Sequence, residues 1–279
     1  MLDHGIPFRL NNRVRRLVAP NPGVMTGPGT NTYLLGNNEV AVLDPGPAIP
    51  SHIDAILDAG GDRIRWIVCT HTHPDHSPAW QAVAAATGAQ VIGASPPDDM
   101  HQDTSFKPTV EVRHDHILAA SEFTLRAVHT PGHVGNHYCY FLEEEGMLFA
   151  GDHIMNGSTV VIIPPSGDMK AYIQSLQLLL QYPLQTIAPG HGDIMPQPAA
   201  AVDALVRHRQ MREAMVVNGL RRTGRTTVDE LVKVVYADVN TSLHKMAVLS
   251  LSAHLIKLRD EQRALQHSVD DTWEISGSG

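Results

Sequence analysis

The chain has 279 residues, 43% of them apolar and 18% charged, and a net charge of −8. That is enough for one large globular domain with a small appendage, and no uninterrupted apolar run reaches the ~18 residues of a membrane span. Residues 1–200 carry ten basic and nineteen acidic side chains while residues 201–265 carry eleven and seven, so only the later segment would welcome a polyanion.

The first five residues show no basic stretch leading into an apolar one, so no secretory signal is expected. Cys69 and Cys139 both sit in apolar, strand-like runs and read as buried free thiols. Cytoplasm is the default setting on these grounds. The closing Ser-Gly-Ser-Gly over 276–279 reads as a disordered end that need not be native sequence.

In chain order, a first strand is expected over 13–18, then a turn-rich loop over 21–31. Strands over 32–35 and 40–43 form a hairpin, and the second runs into Asp44-Pro45-Gly46. A helix over 51–59 takes Ser51 as its cap. The apolar strand over 65–69 runs into Thr70-His71-Thr72-His73-Pro74-Asp75-His76. Burying so many polar groups without partners would cost roughly 2–7 kcal/mol each, and a bound metal would satisfy them together. A helix over 79–87 and a strand over 90–93 follow, then a loop over 94–108. The strand over 123–129 ends in Thr130-Pro131-Gly132-His133. Strands over 138–142 and 147–150 flank Glu143-Glu144-Glu145-Gly146, and the second runs into Gly151-Asp152-His153. A helix over 169–180 precedes a strand over 186–188 that ends in Pro189-Gly190-His191-Gly192. This order is that of a layered α+β domain rather than strict βαβ alternation. Residues 1–198 are therefore read as one domain, and it carries all of these polar strand ends. Residues 199–279 hold helices over 199–218, 227–236 and 243–258 and a closing hairpin, the elements of a winged-helix-like domain.

Five strand ends thus carry metal-competent groups: Asp44, the His71 to His76 cluster, His133, Asp152 and His191. Ends that share one sheet edge converge across large sequence gaps. His71 and His73 are two apart and share a side in extended chain, and Pro74 turns the backbone before Asp75 and His76. Nitrogen and carboxylate donors in this number suit two Zn2+ ions, with Mn2+ or Fe as rivals. Two such ions ~3.5–4 Å apart could share a hydroxide formed at neutral pH.

His-x-His-x-Asp-His over 71–76, with Asp44, His133, Asp152 and His191 in order in their glycine-containing turns, resembles the metallo-β-lactamase superfamily. The segment over 27–35 and the collinear motifs of the C-terminal helices resemble its β-lactamase-like protein 2 branch. The stretch over 162–168 departs from the animal members of that branch and is placed beside the substrate. The resemblance implies a four-layered αβ/βα metallo-β-lactamase fold. It implies His71, His73 and His133 on one ion, Asp75, His76 and His191 on the other, and Asp152 bridging. Asp44 would orient a ligand histidine, and Asp75 and Asp152 would be the catalytic carboxylates. The expected function is a metal-dependent hydrolase whose bridging hydroxide attacks an ester, thioester or lactone of a small molecule. The alternative is a single-strand RNA endonuclease guided by the basic run of Arg207, Arg209, Arg212, Arg221, Arg222 and Arg225; a metal-stabilised binding protein ranks last.

Among the remaining candidates, His153 is read as an outer partner of the metal site and His137, after Asn136, as a helper. His114, His116 and His129 are read as surface residues, and His244 and His254 as packing or surface residues. A winged helix also serves as a homodimer or docking surface, so that domain alone does not decide between partners.

Overall fold

The structure, a computed structural model, describes residues 2–277. Met1, Ser278 and Gly279 lie outside it, and with the last two goes half of the expected disordered end. The chain forms two compact units. The first comprises Met1–Thr130, Asn136–Val160 and Leu180–Ala199; the second comprises Pro131–Gly135, Val161–Leu179 and Ala200–Gly279.

Two sheets build the first unit. One is made of β1 (Phe8–Arg9), β2 (Val14–Val18), β3 (Asn31–Leu35), β4 (Val40–Leu43), β5 (Ile64–Val68), β6 (Gln90–Gly93) and β7 (Val110–Glu111), in that spatial order. The other is made of β8 (Ile117–Ala119), β9 (Thr124–His129), β10 (Tyr138–Leu142), β11 (Met147–Gly151) and β12 (Thr186–Pro189), again in sequence order across the sheet. The pairs β1 to β4 and β8 to β11 are antiparallel. The pairs β4 to β7 and β11 to β12 are parallel.

Successive strand residues point to opposite faces, and here both faces are buried. Leu35, Leu43 and Val68 meet Leu125, Tyr140 and Phe149 of the other sheet. Their neighbours Leu34, Val42 and Ile67 pack on the opposite face against Ile56 of α1 (Pro50–Gly60) and Val83 of α2 (Trp80–Thr87). Two-sided burial explains why these strands read as continuous apolar runs. Cys69 and Cys139 are free and buried, and burial pushes the Cys139 thiol up to about 12. Helix α1 begins at Pro50, and Ser51 does not cap it: the extended Ile49 precedes a proline in the first turn, and no side chain accepts there. Proline suits that place because the amide it lacks would have no helical partner.

The second unit holds α3 (Met169–Leu179), α4 (Pro198–Thr223) from Ala200 on, α5 (Val228–Val235), α6 (His244–Asp260) and three short strands, β13 (Thr226–Thr227), β14 (Ala264–His267) and β15 (Thr272–Ile275). Val216, Leu220, Leu231, Val235, Leu251, Leu255 and Trp273 form its core. Helix α4 runs five residues past the expected end because Gly219 is not a stop signal. A Cβ there would lie 2.9 Å from Leu231 Cδ1, so the glycine admits α5. Among the described residues no helix is long and apolar enough to cross a membrane.

Candidate metal centre

Strands β4 and β5 run parallel, as do β9, β11 and β12, since β9 and β11 are both antiparallel to β10. The donor-bearing turns all follow the C-terminal ends of these strands. Two groups of side chains are spaced to hold a metal ion. They are Asp75, His76, Asp152 and His191, and His71, His73 and His133; within each group one donor atom per residue lies within 4.8 Å of the others. Asp44 belongs to neither group and stands behind them.

In the first group His76 Nε2 lies 3.5 Å from Asp75 Oδ2 and 3.2 Å from Asp152 Oδ1. His191 Nε2 lies 3.2 and 3.3 Å from the same two oxygens. Both nitrogens are buried, yet neither is aligned for a hydrogen bond. Two imidazole nitrogens and two carboxylate oxygens this close together fit a metal ion. Close approach is built into the turn, for a Cβ on Gly190 would sit 2.7 Å from Asp152 Oδ1 and from His76 Cε1.

The outer ring nitrogens are held in a consistent way. His76 Nδ1 donates to Asp44 Oδ2 at 2.9 Å, and His191 Nδ1 faces the Gly29 carbonyl at 3.3 Å. His133 Nδ1 faces the Val161 carbonyl at 3.0 Å, and His71 Nδ1 faces the Thr70 hydroxyl at 3.0 Å. An oxygen partner for one ring nitrogen fixes the tautomer and leaves the other as a metal ligand. His71 Nε2 and His73 Nδ1 approach to 3.0 Å. Nitrogen donors suit zinc and its rivals alike, so the set fits a divalent transition ion without naming it.

Charge at the site follows the same logic. Burial opposes a proton on His76 and His191, but Asp75, Asp152 and Asp44 hold His76 well above the ordinary imidazole range, and Asp152 above all holds His191 at about 10. Burial opposes charge on Asp75 and Asp152, and the imidazoles outweigh it, so both carboxyls lie below their usual range. His71 is pushed well below its usual value by burial and then by His76 and His73. This pocket of negative potential requires positive charge, which ions or protons would supply.

His137 and His153 are fully buried, with ring centres 5.7 Å apart, and the His137 ring lies 5.1 Å from that of His71. His114, His116 and His129 stay outside both groups. Three supporting residues are not singled out by the sequence. Thr70 links Asp44 to His71, donating to Asp44 Oδ2 at 2.8 Å. Asn31 Nδ2 donates to the carbonyls of Pro189 and Gly192, on either side of His191. His52 Nε2 meets Thr32 Oγ1 at 2.9 Å, and that hydroxyl donates to the Asp44 carbonyl. Only Thr70, adjacent to the ligand motif, leaves a signal that spacing could use.

Residues 25–191 match the metallo-beta-lactamase superfamily, and residues 227–273 match the beta-lactamase associated winged helix domain. The chain is 31% identical to Beta-lactamase-like protein 2 homolog of Drosophila melanogaster, over 96% of this chain and 95% of that protein. It is 32% identical to Atrochrysone carboxyl ACP thioesterase of Aspergillus chevalieri, over 97% of this chain and 89% of that protein. Its fold is that of a metallo-beta-lactamase family protein of Thermus thermophilus, with a TM-score of 0.79 at 22% identity, covering 96% of this chain and 100% of the other.

Proposed function

The chain belongs to the metallo-β-lactamase superfamily of metal-dependent hydrolases, and on that premise we propose that it uses two zinc ions to hydrolyse a thioester, within a class that includes esters and lactones. The observation that carries this reading is the pair of donor groups, with seven side chains in two sets. Zinc ions, when bound, polarise a carbonyl oxygen and lower the pKa of water from 15.7 to about 7. His71, His73 and His133 would hold one ion, Asp75, His76 and His191 the other, and Asp152 both.

Within that assignment the chain's own groups have separable roles. Asp75 is the most exposed member of its group, with a quarter of its side chain open, so it faces incoming substrate and orients the attacking water. Asp152 and His76 are enclosed and set the geometry. The thioester is favoured because a relative of similar length bears a thioesterase name. The acidic balance of residues 1–200 also disfavours a polyanion there. We read residues 1–198 as the catalytic domain and 199–279 as the appended winged helix, with a cytoplasmic enzyme as the simplest setting.

RNA cleavage is the second reading, and the basic run is its basis. Arg209 and Arg212 are buried, Arg212 pairs with Asp238 and Arg225 with Asp270. Arg207, Arg221 and Arg222 remain exposed. Three phosphate contacts would give a salt slope of only about −2 on single strands. A panel of an acyl thioester, a lactone, a phosphodiester and labelled single-stranded RNA, run with zinc-loaded protein, separates the readings. Thioester turnover supports the first. RNA cleavage that falls when Arg221 and Arg222 are neutralised replaces it with the second.

A further inference from the structure

A helix-turn-helix module that reads nucleic acid lays the second helix of the pair in a groove, so that helix stands clear of its own protein. In the pair α5 and α6 it does not, for no residue of α6 from Ser250 to Leu258 is exposed. Leu251, Leu255 and Leu258 fill the core of the second unit. Ser250, Ala253 and His254 share another face at helical spacing and are buried too. Helix α3 packs against α6, so the helix is committed inward.

That inward face leads to the His133 turn through one peptide group. The Val161–Ile162 peptide gives its N–H to Ser250 Oγ at 3.5 Å, and its carbonyl faces His133 Nδ1 at 3.0 Å. The two polar ends of a trans peptide point in opposite directions, so this group reaches from helix to ring. Helix α3 and its first residues hold the same turn more closely. Ser175 Oγ donates to the Pro131 carbonyl and the Asp168 amide to the Gly132 carbonyl, both at 2.8 Å. A Cβ on Gly132 would collide with the Tyr172 backbone, so the turn lies flat on α3. Helix α4 secures α3 in its turn, since the Arg209 guanidinium lies 5.1 Å from the centre of the Tyr172 ring and both residues are buried. All of these residues, His133 included, belong to the second compact unit. We propose that the C-terminal module is a brace for His133: α4 and α6 fix α3 and the Val161–Ile162 peptide, and these set where the His133 ring stands. Ser175, Ser250 and Arg209 are positioning residues, and none belongs to either donor group. The consequence is selective, because only the group that contains His133 depends on the brace.

That His133 binds zinc rests on the proposed function; that the module holds its turn does not. The test uses the full chain as wild type, Ser175→Ala and Arg209→Met, each also combined with His133→Ala. Zinc is titrated against a competing chelator, and hydrogen exchange of the Asp168 amide is followed by NMR in metal-free protein. Each variant should weaken one of two zinc ions about tenfold and leave the other unchanged. Each should also speed Asp168 exchange about tenfold, and neither should weaken zinc further once His133 is removed. If Arg209→Met does not fold, Ser250→Ala takes its place under the same criteria. The proposal is overturned if a folded variant leaves both ions at wild-type affinity, weakens both alike, or weakens zinc as much without His133 as with it. Wild type that takes up no zinc defeats the proposed function. Asp168 exchange then decides the brace by itself, and wild-type exchange in the variants overturns it.

Discussion

At the scale of single residues, the donors and Asp44 behind them are legible in the sequence, and most of the other supports are not. His71 to His76 lie within one short segment, and His133, Asp152 and His191 each follow a strand and a glycine, so spacing alone marks them. Asp44 and Thr70 are 26 positions apart, and Asn31 bonds a carbonyl 158 positions away. Hydrogen bonds over such gaps leave no period in the chain. The donors act as a unit, so removing one strands the rest. Asp152→Ala should lower kcat/KM on a thioester by at least about a hundredfold, the upper range for an outer partner, since Asp152 lies in the donor group itself. Its circular dichroism should stay that of wild type. Activity within a few-fold of wild type would remove Asp152 from the mechanism.

Among the elements, long apolar strands are legible to within a residue or two, because burial on both faces makes them unbroken runs. The short β1, β7, β8 and β13, of two or three residues, escape, since no alternation can show in so few positions. Helix α5 is expected with Thr226 or Thr227 at its start, and Thr227 is the cap, accepting from the Glu230 amide at 3.3 Å. Thr227→Ala should cost about 1 kcal/mol, read as a lower urea midpoint with an unchanged slope. In α6, His254 is fully buried with neither ring nitrogen hydrogen-bonded, and burial, then Arg209 and Lys257, lower its pKa to about 3. That value is below the unfolded ~6.5, so the unfolded chain binds the proton first. The stability His254 allows is therefore complete above pH 6.5 and is lost as pH falls toward 3, by up to about 1.4 kcal/mol per pH unit. His254→Leu should flatten the fall in urea stability between pH 6.5 and 4.5. An unchanged slope would show that another group governs the acid limb.

For the molecule as a whole, motif order points to a metallo-β-lactamase fold followed by a winged-helix module, and matches to both are found, over residues 25–191 and 227–273. What the sequence could not show is that α3 and the His133 loop pack within the second compact unit, because such packing is set by tertiary contacts rather than local pattern. The donor groups exist together only in the folded chain, so zinc should raise the melting temperature and a chelator lower it. An unchanged melting temperature with zinc in excess would argue against a preformed site. The most direct measurement is elemental analysis of the protein during stepwise chelation, with thioester hydrolysis followed in the same samples. Two zinc ions per chain are expected, with activity lost as they leave and regained when zinc is returned. Full thioester hydrolysis by metal-free protein, or a chain that never holds more than a trace of metal, would contradict it.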